Sequence, residues 1–233
     1  MSHHEPPPVH QVALEPDPGP AEAPGALSGL QRVAAMGLAI GPVAFVAAWA
    51  GAGLGTEGYS AVDDAISRLA AVDATQRPVM TLGFLAYGAY LLAAVPVLRR
   101  SSIGRCWPAV AVNALATWAV AALPLDRSDA IDVAHGVAAT VGYVALAAAP
   151  ALAAGPLDAA GRRGAALASA GAAIAITGAL LLSTVVDANG LAQRVGLGIG
   201  DVWLVVVGLA LAGGRLIRAV PEPVPEPVAE RVA

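Results

Sequence analysis

Away from its two ends, this sequence offers few side chains that could do chemistry, and most of them are acidic. His135 follows Asp132 by three residues, so on a helix the pair shares one face and the carboxylate is placed to orient the imidazole as a general base. Ser67, in a polar loop segment, is the matching candidate nucleophile, which makes His135, Asp132 and Ser67 the catalytic set if the chain is an enzyme. The same residues also have a structural reading, with Asp132 as an N-terminal helix cap beside an interfacial histidine. Asp201 is the most informative carboxylate, because it interrupts an otherwise apolar run seven residues after Arg194 and on the same helical face. At 1.5 Å per residue that places it roughly 9 Å inside a helix, where insertion scales charge about 2.5–3.5 kcal/mol for an acid and a partner is the norm. Arg194, His135, or Asp187 through a water are the partners within reach along the chain. As a binding site rather than a catalytic one, the candidate set is Asp63, Ser67, Asp126, His135, Arg194 and Asp201.

The elements that carry these residues follow from composition. Of 233 residues 57% are hydrophobic and 13% charged, with a mean hydropathy of +0.68. Soluble domains run near 45–50% apolar and about 25% charged, so a disordered chain, a coiled coil and a water-soluble enzyme are excluded and an integral membrane protein remains. A net charge of −4 leaves no basic surface for nucleic acid. All 13 basic residues are arginine in an Ala- and Gly-rich chain, a GC-rich coding pattern that points to a bacterial source. Cys106 is the single cysteine, which rules out an intrachain disulfide and reads as a small apolar residue at a helix start.

Six apolar segments of bilayer-spanning length are expected: Val33–Ala52, Pro78–Leu98, Cys106–Leu125, His135–Ala154, Ala165–Val186 and Val195–Gly214. Nine arginines (Arg32, Arg99, Arg100, Arg105, Arg162, Arg163, Arg215, Arg218 and Arg231) then fall on one side and four (Arg68, Arg77, Arg127 and Arg194) on the other. Basic residues are retained on the cytoplasmic side, so both termini are expected inside a bacterial plasma membrane. Ala48-Trp49-Ala50 is similar to a signal-peptidase site, but the leader before it is long, acidic and proline-rich, so the first helix is expected to stay in place. Proline clusters mark residues 1–28 and 219–233 as disordered tails flanking a membrane domain at 29–218. The spacings Gly51/Gly55 and Gly196/Gly200 suit close helix packing, and Asn113 suits an interhelical hydrogen bond.

Outside the tails and the Asp158 loop, all nine acidic residues fall in outer loops or the outer half of a helix, and His135 joins them. The first outer loop predicts a short amphipathic helix over Tyr59–Ala70. Val62, Ile66 and Leu69 form one face, and Asp63, Asp64, Ser67 and Arg68 form the other. A Ser60–Asp63 capping box and an Asp64–Arg68 pair are the local interactions this spacing offers.

The Tyr59-Ser60…Ile66-Ser67-Arg68-Leu69-Ala70 segment is one of several features that give the chain a likeness to a known family. With Leu125-Asp126 ending a helix, His135-Gly136 opening the next and Gln193-Arg194 opening the last, the chain resembles the bacterial multi-pass membrane family catalogued as domain of unknown function 998. That resemblance implies an all-α, six-transmembrane-helix fold and no established activity. The alkaline-ceramidase-like membrane hydrolases combine a Ser, an Asp and several His around zinc. Here His135 is the lone histidine outside the tails, so no metal and no cofactor is expected. The leading expectation is a protein that binds a lipid headgroup or small ligand in an outward polar pocket. The alternatives are a membrane-embedded lipid hydrolase or transferase with His135 as base, and a proton-coupled transporter using Asp201 and His135. The bilayer is the expected partner, and no oligomeric state follows from the sequence.

Overall fold

The computed structural model describes residues 27–217. All but two residues of the expected tails, with His3, His4, His10, Arg218 and Arg231, lie outside the described residues. Within 27–217 the chain is all-helical: α1 Gly29–Leu54, α2 Arg77–Arg100, α3 Trp107–Ala122, α4 Asp129–Ala159, α5 Arg163–Ser183 and α6 Asn189–Ala212. All but α3 are long and apolar enough to cross a membrane.

Several boundaries differ from the sequence expectation, each for a local reason. α3 stops at Ala122 with 16 residues because Pro124 disfavours helical geometry at Leu123. α4 begins six residues before the expected His135 because Ser128 caps it, its hydroxyl accepting from the Ile131 N–H at 3.4 Å. Asp132 is therefore one turn inside the helix rather than its cap. α1 starts with a complete capping box between Ser28 and Gln31.

The helices alternate in direction, each packs against the next, and α6 returns against α1 to close a ring. α4 also touches α6 across the ring, while α5 lies against both on the outside and is the least buried of the long helices. α3 returns the chain the full depth of the bundle. Its start adjoins the end of α2, and the Leu125 carbonyl just beyond it accepts from the Val72 N–H at 3.0 Å, ahead of the α2 start. The opposite end is closed by a backbone bridge between Ser101 and Ile217, and by Arg32 and Arg162 donating to the Ala212 and Arg215 carbonyls left open after α6. Apolar side chains such as Leu167, Ile174 and Leu181 point outward, as a lipid-facing surface requires.

Small residues bring the helices together, though not all where the spacing suggested. A methyl group at Gly37 would run into the Tyr90 carbonyl of α2, and one at Gly200 would meet the Leu146 side chain of α4 at 2.6 Å. Gly196 faces Ala179 of α5 instead, so the Gly196/Gly200 pair serves two different neighbours. Gly51 has open space beside it and takes no part in close packing.

The first loop is not the regular amphipathic helix expected over Tyr59–Ala70. Of the segment before Ile66 only residues 61–63 form a turn, and a 3-10 helix covers Ile66–Ala70. Ile66 and Leu69 are buried as expected, but Val62 is 47% exposed. Ser60 uses its backbone N–H on Asp64 (2.8 Å) and its hydroxyl on Asp63 (2.6 Å), so the Asp64 carboxylate is turned back on its own loop and does not pair with Arg68.

Candidate ligand-binding site

Five helices and the 3-10 turn surround a partly open cavity with about 560 Å³ of space not filled by atoms, open solvent included. Phe45 comes from α1, Phe84 and Tyr87 from α2, Asn113 and Thr117 from α3. His135 and Tyr143 come from α4, Gln193 and Asp201 from α6, and Ser67 closes one side from the loop.

The base of the cavity lies midway along the helices. Asp201 is twelve residues into α6, about 18 Å along its axis. At this depth Tyr87 donates to the Asn113 side-chain oxygen (2.9 Å), and the Asn113 amide donates to the Gly142 carbonyl (2.9 Å), tying α2, α3 and α4 together. Asn113 is thus the interhelical link its position suggested. Asp201 is 5% exposed, and neither of its carboxyl oxygens has a hydrogen-bond partner. Arg194, one of its expected partners, is turned the other way.

His135 is oriented by a backbone group and not by Asp132. Its Nδ1 lies 2.7 Å from the Leu123 carbonyl, an acceptor left open where α3 ends. A carbonyl can only accept, so Nδ1 carries the proton, and in the neutral ring Nε2 is left with its lone pair. Nε2 is buried and without a partner. Asp132 instead accepts from the Asp126 N–H at 3.0 Å, supporting a turn in which Asp126 has a positive φ of 64°. The Asp126 carboxylate receives Arg68 at 3.0 and 3.1 Å, an exposed ion pair that joins the first loop to the α3–α4 loop.

Of the residues singled out from the sequence, Ser67, His135 and Asp201 therefore meet at one cavity, while Asp63, Asp126, Asp132 and Arg194 are not among its lining. Phe45, Phe84, Tyr87 and Tyr143 line it without having been singled out, and Gln193, named above only as part of the motif that opens the last helix, lines it too. The available signal was aromatic and amide side chains inside spans built mostly of Ala, Val, Leu and Gly. Among the described residues no group of three or more His, Cys, Asp or Glu comes together.

Arg194 fastens the loop beside the cavity. Its guanidinium lies over the rings of Trp49 (5.1 Å) and Tyr59 (5.5 Å), and it donates to the Tyr59 hydroxyl and to the Asp64 and Gly190 carbonyls, both at 2.9 Å. Burial raises the Tyr59 phenol above its ordinary pKa, although the charge of Arg194 pulls it down. Gln193 adds a bond from the Ile66 N–H at 2.7 Å, and the Leu191 N–H one to the Val62 carbonyl at 2.8 Å. Charge-assisted bonds contribute about 1.5–3 kcal/mol and cation–π contacts about 0.5–1 kcal/mol each. Arg194→Ala is therefore expected to loosen the loop and speed trypsin cleavage after the exposed Arg68 by roughly tenfold or more. An unchanged cleavage rate would mean that Gln193 and Leu191 hold the loop unaided.

Five long apolar helices and a polar-based internal cavity mark a helical membrane protein. The chain belongs to the family described as Protein of unknown function (DUF998), which matches residues 39–210, or 172 of its 233. No curated protein matches the chain, and no solved structure does.

Proposed function

We propose that this protein binds a small ligand or lipid headgroup in the cavity without turning it over. One observation carries the reading: Asp201 and His135, both 5% exposed, present unpartnered polar atoms, and both line the same cavity. An unpaired buried polar group costs roughly 1–3 kcal/mol, which a bound ligand offsets. Hydrolysis is the weaker reading because His135 is oriented by a neutral carbonyl, with no carboxylate behind the imidazole to stabilise its charged form. A proton path to the other face would need polar residues beyond Asn113, and the inner helix halves add little besides Ser169, which accepts from Trp203 at 3.0 Å.

The cavity reaches the first loop at Ile66 and Ser67, and we read that end of the bundle as the outer face of a bacterial plasma membrane. In support, Arg32, Arg99, Arg100, Arg105, Arg162, Arg163 and Arg215 lie at the opposite end of the bundle, against Arg68, Arg77, Arg127 and Arg194 at the cavity end. In this reading α3 is a sixth crossing. With the 3-10 turn Gly104–Cys106 before it, it reaches about 30 Å, the thickness of a bilayer core. Both termini are then cytoplasmic.

Native mass spectrometry of protein extracted from its membrane tests the reading. The wild-type protein is expected to carry a bound species. Ala139→Trp, which fills the cavity, should lose it, and Val141→Trp, on the outer face of the same helix, should keep it. Equal retention by all three would rule out the cavity as the site.

A further inference from the structure

The cavity's chemistry specifies the charge of what it holds. Asp201 is the only carboxylate in the lining, and no arginine is present to balance it, since Arg194 is committed to Trp49, Tyr59 and Asp64. The buried polar atoms without partners that belong to lining residues are the two Asp201 oxygens and His135 Nε2, and all three are acceptors once the Asp201 carboxyl is ionised, the state a cationic ligand favours. The Tyr87 and Thr117 hydroxyls donate within the protein, and Asn113 spends one of its two amide hydrogens on the Gly142 carbonyl. An anion, including a lone phosphate group, would meet a carboxylate and a lone pair with nothing to neutralise it.

The remaining wall is aromatic to a degree this composition makes conspicuous. The chain has 2 Phe, and both line the cavity, as do Tyr87 and Tyr143 among its 4 Tyr. Phe45 lies with its ring centroid 5.6 Å from Phe84 and 5.4 Å from Tyr87, at interplanar angles of 36° and 56°. Tilted rings beside one carboxylate form the environment that recognises an organic ammonium, through ring faces and a single counter-charge.

Resting on the reading of the cavity as a ligand site, we infer that its ligand carries an ammonium group, seated against Phe45, Phe84 and Tyr87 with Asp201 as its counter-ion. A ligand that also bears a hydroxyl, as choline does, donates it to His135 Nε2. The ammonium is supplied either by a free amine or by an amine-bearing lipid headgroup.

The test uses the purified full-length chain in detergent. Its thermal unfolding is followed with choline, with the neutral isostere 3,3-dimethylbutan-1-ol, with acetate and with a short-chain phosphatidylcholine, while species released from the protein are identified by mass. Choline or phosphatidylcholine is expected to stabilise the protein at concentrations at least tenfold below those needed for the isostere, and acetate should have no effect. Stronger action by phosphatidylcholine assigns a lipid source, and stronger action by choline a free amine. Asp201→Asn should abolish the preference for the cation. Isostere binding equal to choline overturns the ammonium while leaving the cavity as a ligand site, as does preference for acetate or release of a species lacking an amine. If no probe stabilises the protein and no species is released, the site reading and the ammonium fall together.

Discussion

Asp201→Asn is expected to weaken retention of the bound species by roughly 10- to 150-fold, the equivalent of one charge-assisted hydrogen bond of about 1.5–3 kcal/mol. The same substitution should leave the ligand-free protein as stable as the wild type or more so. Asparagine has nearly the shape of aspartate, and the oxygens it alters have no partner within the protein. An unpaired carboxyl halfway along a membrane helix costs free energy whether or not it is ionised. A residue kept at such a cost, and relieved by a ligand, shows opposite effects on stability and binding. Titrating the retained species while following ligand-free unfolding separates the two effects. A ligand-free midpoint lowered by several degrees, with retention intact, would make Asp201 a packing residue and remove the main support for the site.

Gly37→Ala should be among the most destabilising single changes in the bundle. The added methyl would fall on the Tyr90 carbonyl, and backbone within a helix cannot turn aside as a side chain can. α1 and α2 must then separate, or α1 must rotate, at an overpacking cost of about 1–3 kcal/mol. For a domain of this size that lowers the unfolding midpoint by roughly 2–12 °C. Gly51→Ala, nearly four turns further along α1, is the internal control, since nothing lies within 4 Å of its added methyl. There the gain in helix propensity of about 1 kcal/mol acts alone, and the midpoint should hold or rise. A fall of equal size at both positions would mean that the α1–α2 contact does not depend on Gly37. The phenylalanine at position 45 shares α1 with both, so ligand retention in Gly37→Ala also reports whether the cavity wall follows the helix.

The contrast between these glycines shows where reading the sequence stops. Gly51 and Gly55 have the spacing of a packing motif, and Gly37 and Gly41 have the same spacing; only the second pair faces another helix closely. Spacing states that two residues share a face, but not which way the face points. The same limit applies at His135. Its three-residue separation from Asp132 is real, yet the acceptor it meets is the carbonyl of Leu123, a group every residue carries and no motif records. Asp132 is drawn instead to the backbone of Asp126, whose left-handed turn needs an acceptor.

By itself the sequence determined the class, the approximate extent of all six helices and the end of the bundle at which its acidic residues collect. These depend on local sums: twenty apolar residues demand burial in lipid, and charges excluded from the spans must gather where the helices turn. It also isolated Asp201, because a carboxylate in an apolar run stands out without any neighbour being known. The tertiary structure alone decided that Asp201, His135 and Ser67 share a cavity, that Arg194 serves the loop rather than Asp201, and that both phenylalanines turn inward to the same space. Those outcomes depend on the rotation of each helix about its axis. In a chain whose helices are apolar all round, no amphipathic stripe specifies that rotation; contacts such as Gly37 against Tyr90 and Gly200 against Leu146 do.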